Sequence, residues 1–200
     1  MKSLVAAIAL LALSGTAIHA QQQPVQLKMG DVKVQQPAVD TQKTPNFQAG
    51  DVKVKDIPNP RDWLEIEVEF EVDGPRNGVI KELMFRYYVA LTDANNQTRT
   101  LTGDVKHINV LCGEKLFSAA YVAPNMLGEI TGDFRRFQMG AVKGVGLEVI
   151  YNGVVVGGVT TAGGKFWESL APQPGVLGKT KTPFELLWID RYAETAPEGR

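Results

Sequence analysis

In residues 63–72, WLEIEVEFEV, apolar and acidic side chains alternate without a break from Leu64 onward. Leu64, Ile66, Val68, Phe70 and Val72 share one parity, and Glu65, Glu67, Glu69 and Glu71 share the other. That pattern predicts a β-strand with one face in a core and the other in water. After the turn residues DGPRNG, VIKELMFRYYVAL resumes the alternation. Val79, Leu83, Phe85, Tyr87, Val89 and Leu91 lie on one face, with Lys81 interrupting it. If these two strands pair as a hairpin, Arg86 falls on the outer face beside the glutamates and relieves their repulsion.

TRTLTGDVKHINV, rich in Thr and Val, reads as the next strand. EKLFSAAYVA fits a strand set between Gly113 and Pro124, although Leu116, Ala120 and Ala123 also suit a helix. PNMLGEITGDFRRFQMG is expected to be a longer connection with one helical turn. VGLEVIYNGVVVGGVTT is the clearest hairpin: Val145, Leu147, Val149 and Tyr151 alternate, and Asn152-Gly153 supplies a type I′ turn. Gly157-Gly158 in the return strand predicts a bulge or a close backbone approach. KFWESLAPQPGVLGKTKTP reads as loop, FELLWIDRY as a last strand, and residues 193–200 as a fraying tail.

No segment keeps helical periodicity over three turns. Short strands separated by Gly, Asn and Pro turns predict an all-β protein, an immunoglobulin-like antiparallel β-sandwich of about seven or eight strands over residues 61–192. The Cys…Trp…Cys core of antibody domains is absent from the sequence. Residues 21–60, rich in Gln and Pro, read as an extended N-terminal arm with two short strands.

The start of the chain adds an address. Lys2, the apolar run Leu4 to Leu13 and the small residues of SGTAIHA make a secretory signal peptide over residues 1–20. Cleavage is expected after Ala20, with Ala17 as the second choice. The run is too short to span a bilayer, so the mature chain is expected to carry no transmembrane helix. The protein is then exported, to the periplasm, the outer-membrane surface or beyond. Cys112 is the one cysteine, so no internal disulfide forms. It reads as a small buried hydrophobe, with an interchain bridge or a nucleophile as the sharper alternatives. A formal net charge of -1 gives no electrostatic reason to bind nucleic acid.

Candidate chemistry is sparse. His107 is the one histidine outside the leader, so no His/Cys zinc cluster can be built, and it reads as an exposed strand residue. No nucleophile elbow, Walker loop or HExxH motif is present. These absences predict no catalytic residue, no metal site and no cofactor. The glutamates of residues 65–71 could ligate calcium, but they lie in a line rather than around a point, and a solvated face is the preferred reading. Trp63, Trp167 and Trp188 could stack on sugars. Of these, Trp167, in a Gly-flanked loop, is the candidate glycan stacker, and Trp188 reads as core. Arg135-Arg136 between Phe134 and Phe137 reads as a loop anchored by two phenylalanines.

The string GDVKV occurs at 30–34 and again at 50–54, and GDVK returns at 103–106. The period does not continue, so there is no solenoid. The plain reading is two ordinary short strands. In the sharper one the second copy pairs in its own sandwich, while the first, on the arm, adds to the open edge of a neighbouring molecule.

Taken together, VIYNGVVVGG, KFWESL and TPFELLWIDRY resemble a family of exported immunoglobulin-like β-sandwich proteins encoded beside type IV pilus assembly components in mucus-associated Verrucomicrobia-type bacteria. The resemblance covers roughly residues 60–192. It implies a non-enzymatic structural or interaction role in a pilus-like or envelope assembly, with other assembly proteins as partners. It carries over no site residues. A glycan-binding sandwich is the alternative.

Overall fold

The computed structural model describes residues 25–48, 50–53 and 55–197, so the expected signal peptide and residues 198–200 lie outside the described residues. The strands are β1 (Val32–Val34), β2 (Ala38–Lys43), β3 (Asp62–Val72), β4 (Val79–Thr92), β5 (Thr98–Leu111), β6 (Lys115–Val122), β7 (Val142–Tyr151), β8 (Val154–Thr160), β9 (Gln173–Pro174) and β10 (Val176–Gly178). One helix of two turns, α1 (Pro124–Thr131), follows β6. The protein is an all-β sandwich of two sheets. One runs β1-β3-β6-β10, with β2 also on β3, and the other runs β8-β7-β4-β5-β9. Among the described residues every strand pairing is antiparallel except the short β5–β9 pair, and a single bridge, Phe117 to Tyr192, is also parallel.

The alternation in β3 does what its sequence dictates. Leu64, Ile66, Val68, Phe70 and Val72 are all buried at 1% exposure or less. They meet Leu83, Phe85, Tyr87, Val89 and Leu91 of β4, each fully buried, with the Phe70 and Phe85 rings 4.7 Å apart. β3 and β4 do not form the expected hairpin. Both carry an apolar face, and those faces pack on each other, so DGPRNG crosses from one sheet to the other. β3 pairs with β6 instead, and Arg86 pairs with Asp104 of β5. Within β4, the pairing with β5 is interrupted between Ile80 and Glu82, where Asn109 takes φ 54°. The break shifts the parity, so Ile80 is buried and Val79 is exposed.

Two local predictions hold in detail. Asn152 and Gly153 both have positive φ, 49° and 78°, and turn β7 into β8. Gly157 is a close approach: a Cβ there would lie 2.6 Å from the Val32 carbonyl oxygen, and the β7–β8 register also shifts at Val149/Ile150. EKLFSAAYVA is strand, as favoured. The connection after it holds two helical turns rather than one, begun by Pro124 and ended by Gly132 at φ 79°, whose N–H donates to Gly128.

The expected last strand is not one. Residues 184–191 fold as successive tight turns, with Trp188 at φ 51°. β10 takes the edge of β6 over Ala120–Val122, and of the expected strand Tyr192 alone reaches that edge, through a single bridge to Phe117. Nor does the segment after it fray. The Ala193 N–H donates to Phe117, the Glu194 carbonyl accepts from Ile108, and the Ala196 N–H donates to Lys106, so residues 193–196 bridge β5 and β6. On the opposite side the Gly30 N–H donates to Val156. Both open sides of the sandwich are thereby tied.

Gly103 marks the tightest of these closures. A Cβ there would sit 2.0 Å from the Val176 carbonyl oxygen, which is backbone and cannot swing away. Gly103→Ala is therefore expected to cost about 1–3 kcal/mol or more by forcing residues 173–178 off β5. Thermal unfolding measures it; an unchanged midpoint would mean that this strap is free to move.

Candidate functional site

His107, expected on the surface, is 1% exposed. It has the same strand parity as Leu101 and Val105 and faces the core. Its Nε2 lies 2.7 Å from Ser118 Oγ, and its Nδ1 lies 3.2 Å from the Ala193 carbonyl. A carbonyl can only accept, so Nδ1 carries the proton and Nε2 accepts from Ser118. The Tyr87 hydroxyl in turn donates to Ser118 Oγ at 2.7 Å. Burial drives the imidazole pKa down to about 4, against the pull of the backbone carbonyls of Glu194 and Ala193. Burial also pushes the Tyr87 hydroxyl well above its ordinary range. A serine and a neutral histidine thus sit in hydrogen-bond contact, but Ser118 is fully buried, and a nucleophile needs reach to its substrate. The chain Tyr87–Ser118–His107–Ala193 is a buried polar strut that ties both sheets to the C-terminal segment, and His107 lines a cavity of about 290 Å³ with Lys179, Glu185 and Tyr192.

The outer face of β3 is not a bare solvated ladder. The Tyr121 hydroxyl donates to Glu65 at 2.7 Å and the Gln42 amide to the same carboxylate at 2.9 Å. Arg191 donates Nε–H and Nη2–H to Glu67, and the Tyr192 hydroxyl adds a bond of 2.7 Å. The Arg191 guanidinium holds the Glu67 carboxyl below its ordinary pKa. Lys115 sits 3.2 Å from Glu69. These carboxylates are engaged one by one along a line, and among the described residues no three His, Cys, Asp or Glu side chains gather as metal ligands. Over this face lies a strap, residues 179–193. Phe184 is buried in it, stacked 4.8 Å from Tyr121 and edge-on to Trp63 at 5.7 Å. The strap turns Leu186, Trp188 and Ile189 outward, 70%, 48% and 62% exposed.

The other outer face is capped by residues 161–172. Trp167, the expected glycan stacker, is 7% exposed and lies flat on Tyr88, with ring centroids 4.4 Å apart. Gly146 makes room for it: a Cβ there would lie 2.2 Å from the indole. The exposures are the reverse of those expected: Trp167 is buried and Trp188 is open to solvent. The glycines beside Trp167 suggested a free loop, but its partners Tyr88 and Gly146 are distant in sequence. Trp63 and Trp188 belong to one side of the sandwich and Trp167 to the other, so the three build no common platform.

Beside this cap runs an open groove of about 1010 Å³, floored by Met84, Arg86, Thr102 and Asp104 and walled by residues 172–181 and 195–197. Its main charges are spent on each other, because Arg86 grips Asp104 through two bonds of 2.8 and 2.9 Å. Cys112 is 8% exposed, and burial raises its thiol pKa, the opposite of what a nucleophile needs. In the Arg135-Arg136 loop, both backbone N–H groups donate to Asp133, and Phe137 is buried while Phe134 is exposed. Phe134, although exposed, lays its ring against Gly128 of α1, where a Cβ would sit 2.5 Å from it.

Quenching of indole emission separates the tryptophans. Trp188→Phe is expected to remove most of the acrylamide-quenchable fluorescence, and Trp167→Phe to leave it unchanged. The reverse would restore Trp167 as a surface stacker.

Among the described residues no helix is long and apolar enough to cross a membrane. A protein-family model matches residues 23–198, nearly the whole chain. A crystal structure of a protein from Akkermansia muciniphila superposes with a TM-score of 0.73 at 28% identity, covering 88% of this chain and 96% of that one. No curated protein matches the sequence.

Proposed function

The chain belongs to the family whose model spans residues 23–198, and from that membership we propose that it is an exported, non-enzymatic structural and interaction protein. In this reading it is a component or accessory of a type IV pilus-like or envelope assembly, and its sandwich is immunoglobulin-like in kind. The placement in a pilus-like assembly comes from the sequence resemblance described above. Its partners are other assembly proteins, and it acts in the periplasm, on the outer-membrane surface or outside the cell.

One contrast carries the reading. His107, Ser118, Tyr87 and Cys112 are buried, while large apolar side chains of the strap, Leu186, Trp188 and Ile189, are turned out to solvent. A nucleophile or base closed off from solvent is closed off from a substrate, and exposed apolar side chains mark contact. Affinity isolation of the tagged full chain from crosslinked cell envelopes tests this. Pilus-like or envelope assembly subunits are expected in the isolate. Recovery of the chain alone, or turnover of a substrate by the purified protein, would overturn it.

A further inference from the structure

The two copies of GDVKV have unlike fates. The first is built into the sheet. Val32, 3% exposed, pairs with Val72, Lys33 with Glu71 and Val34 with Phe70. Its recognition is nearly all backbone: the Gly30 N–H donates to Val156, the Asp31 carbonyl accepts from Asp73, and the Val32 carbonyl rests on Gly157. One side-chain bond is added, Lys33 Nζ to Asp73 at 2.8 Å.

The second copy, in the loop between β2 and β3, pairs with no strand over its described residues 50–53. That loop is pinned at its base by Thr44 N–H to Arg61 and Ile57 N–H to Asn46. It presents Val52 at 70% exposure and Phe47 at 50%. The likeness extends beyond five residues. Twenty positions after Leu27, half-buried against the core, stands Phe47, and twenty after Val32 stands Val52. Both copies open on a glycine of positive φ, 93° at Gly30 and 49° at Gly50.

We propose that the loop copy of one molecule, Gly50 to Lys53, takes the place of β1 on the β3 edge of a second copy of this chain. The slot reads a valine, a lysine opposite Glu71 whose Nζ reaches Asp73, and a backbone, and the loop copy offers all three. β1 is three residues long and covers only the Phe70–Val72 end of β3. Exchange of like for like leaves the pairing energy little changed, so protein concentration decides the population. The molecule's own slot is out of reach. To bring Val52 beside Val72, residues 52–62 would have to run extended along about 33 Å of β3, where β2 already lies. Donor loop and acceptor edge are different surfaces, so the contact is head-to-tail and propagates into a chain or a ring. This deepens the contact role proposed above and rests on it, naming this chain itself as a partner.

Disulfide trapping tests it. One full-length chain carries Lys53→Cys and another, of different tag mass, carries Glu71→Cys, both with Cys112→Ala. The Lys33–Glu71 register puts positions 53 and 71 within disulfide reach on exchange. A mixed disulfide dimer is expected to accumulate as concentration rises and to be lost when Val52→Asp is added to the donor. A yield no higher than that of Lys53→Cys mixed with Glu129→Cys, an exposed position on α1, would overturn the proposal. A second measurement keeps the natural chain. A labelled peptide of residues 45–56 is expected to bind it by fluorescence anisotropy, and binding equal to that of a scrambled peptide would also overturn exchange. Loss of exchange with assembly subunits still recovered from envelopes would remove only the self-contact.

Discussion

Phe70→Ala is expected to destabilise the protein by about 3–5 kcal/mol, the range for emptying a buried aromatic site. Phe70 is 1% exposed on the inner face of β3. Its ring packs on Phe85 of the opposite sheet and lies 5.8 Å from the His107 ring. The residue therefore joins the two sheets and braces the buried polar strut at once. Its neighbours belong to well-paired strands and have little freedom to collapse into the space. A urea titration followed by near-ultraviolet circular dichroism reads the loss as a lowered midpoint with an unchanged slope. A midpoint within error of the natural chain would mean that the two sheets do not share this core.

Stability is expected to fall by about 3 kcal/mol as pH drops from about 6.5 to about 4, because His107 is held neutral in the fold. Burial lowers its folded pKa from 6.5 to about 4. Between those values the unfolded chain binds a proton that the folded chain refuses, so stability rises with pH across the window and is lost on acidification. Glu67 adds a loss at lower pH. Its pKa is depressed in the fold by Arg191 and Tyr192 against the cost of burial, so its contribution is present above about 4.5 and disappears as pH falls further. Unfolding free energies at successive pH values measure both. His107→Gln is expected to flatten the upper window and leave the lower one. An unchanged slope between pH 6.5 and 4 in that variant would contradict the burial of a neutral imidazole.

Much of the sandwich can be read from short stretches because their information is local. Ten alternating residues fix which face of β3 is buried, and Asn152-Gly153 fixes a turn whatever surrounds it. Gly157 betrays a close approach because a missing Cβ is itself the signal. The misread features depend on partners far along the chain. Trp167 is buried by Tyr88 and Gly146, and the glycines beside it in sequence say nothing of either. Residues 184–192 are apolar enough for a strand, yet residues 176–178 hold the edge of β6 and Tyr192 alone of the segment bridges to it. Nothing in FELLWIDRY reports that. His107 was legible, since it shares parity with Leu101 and Val105, but a polar residue on an apolar face invites the surface reading. Of the candidate contact surface, the strap's exposure depends on the left-handed turn at Trp188, which sequence alone does not show.

The most direct test of a contact role places a photo-crosslinking residue at position 188 of the full-length protein in its native cells. Position 167 serves as the buried control. Illumination is expected to give discrete crosslinked species containing envelope assembly proteins from position 188 and none from position 167. Monomer alone from both positions would contradict the account.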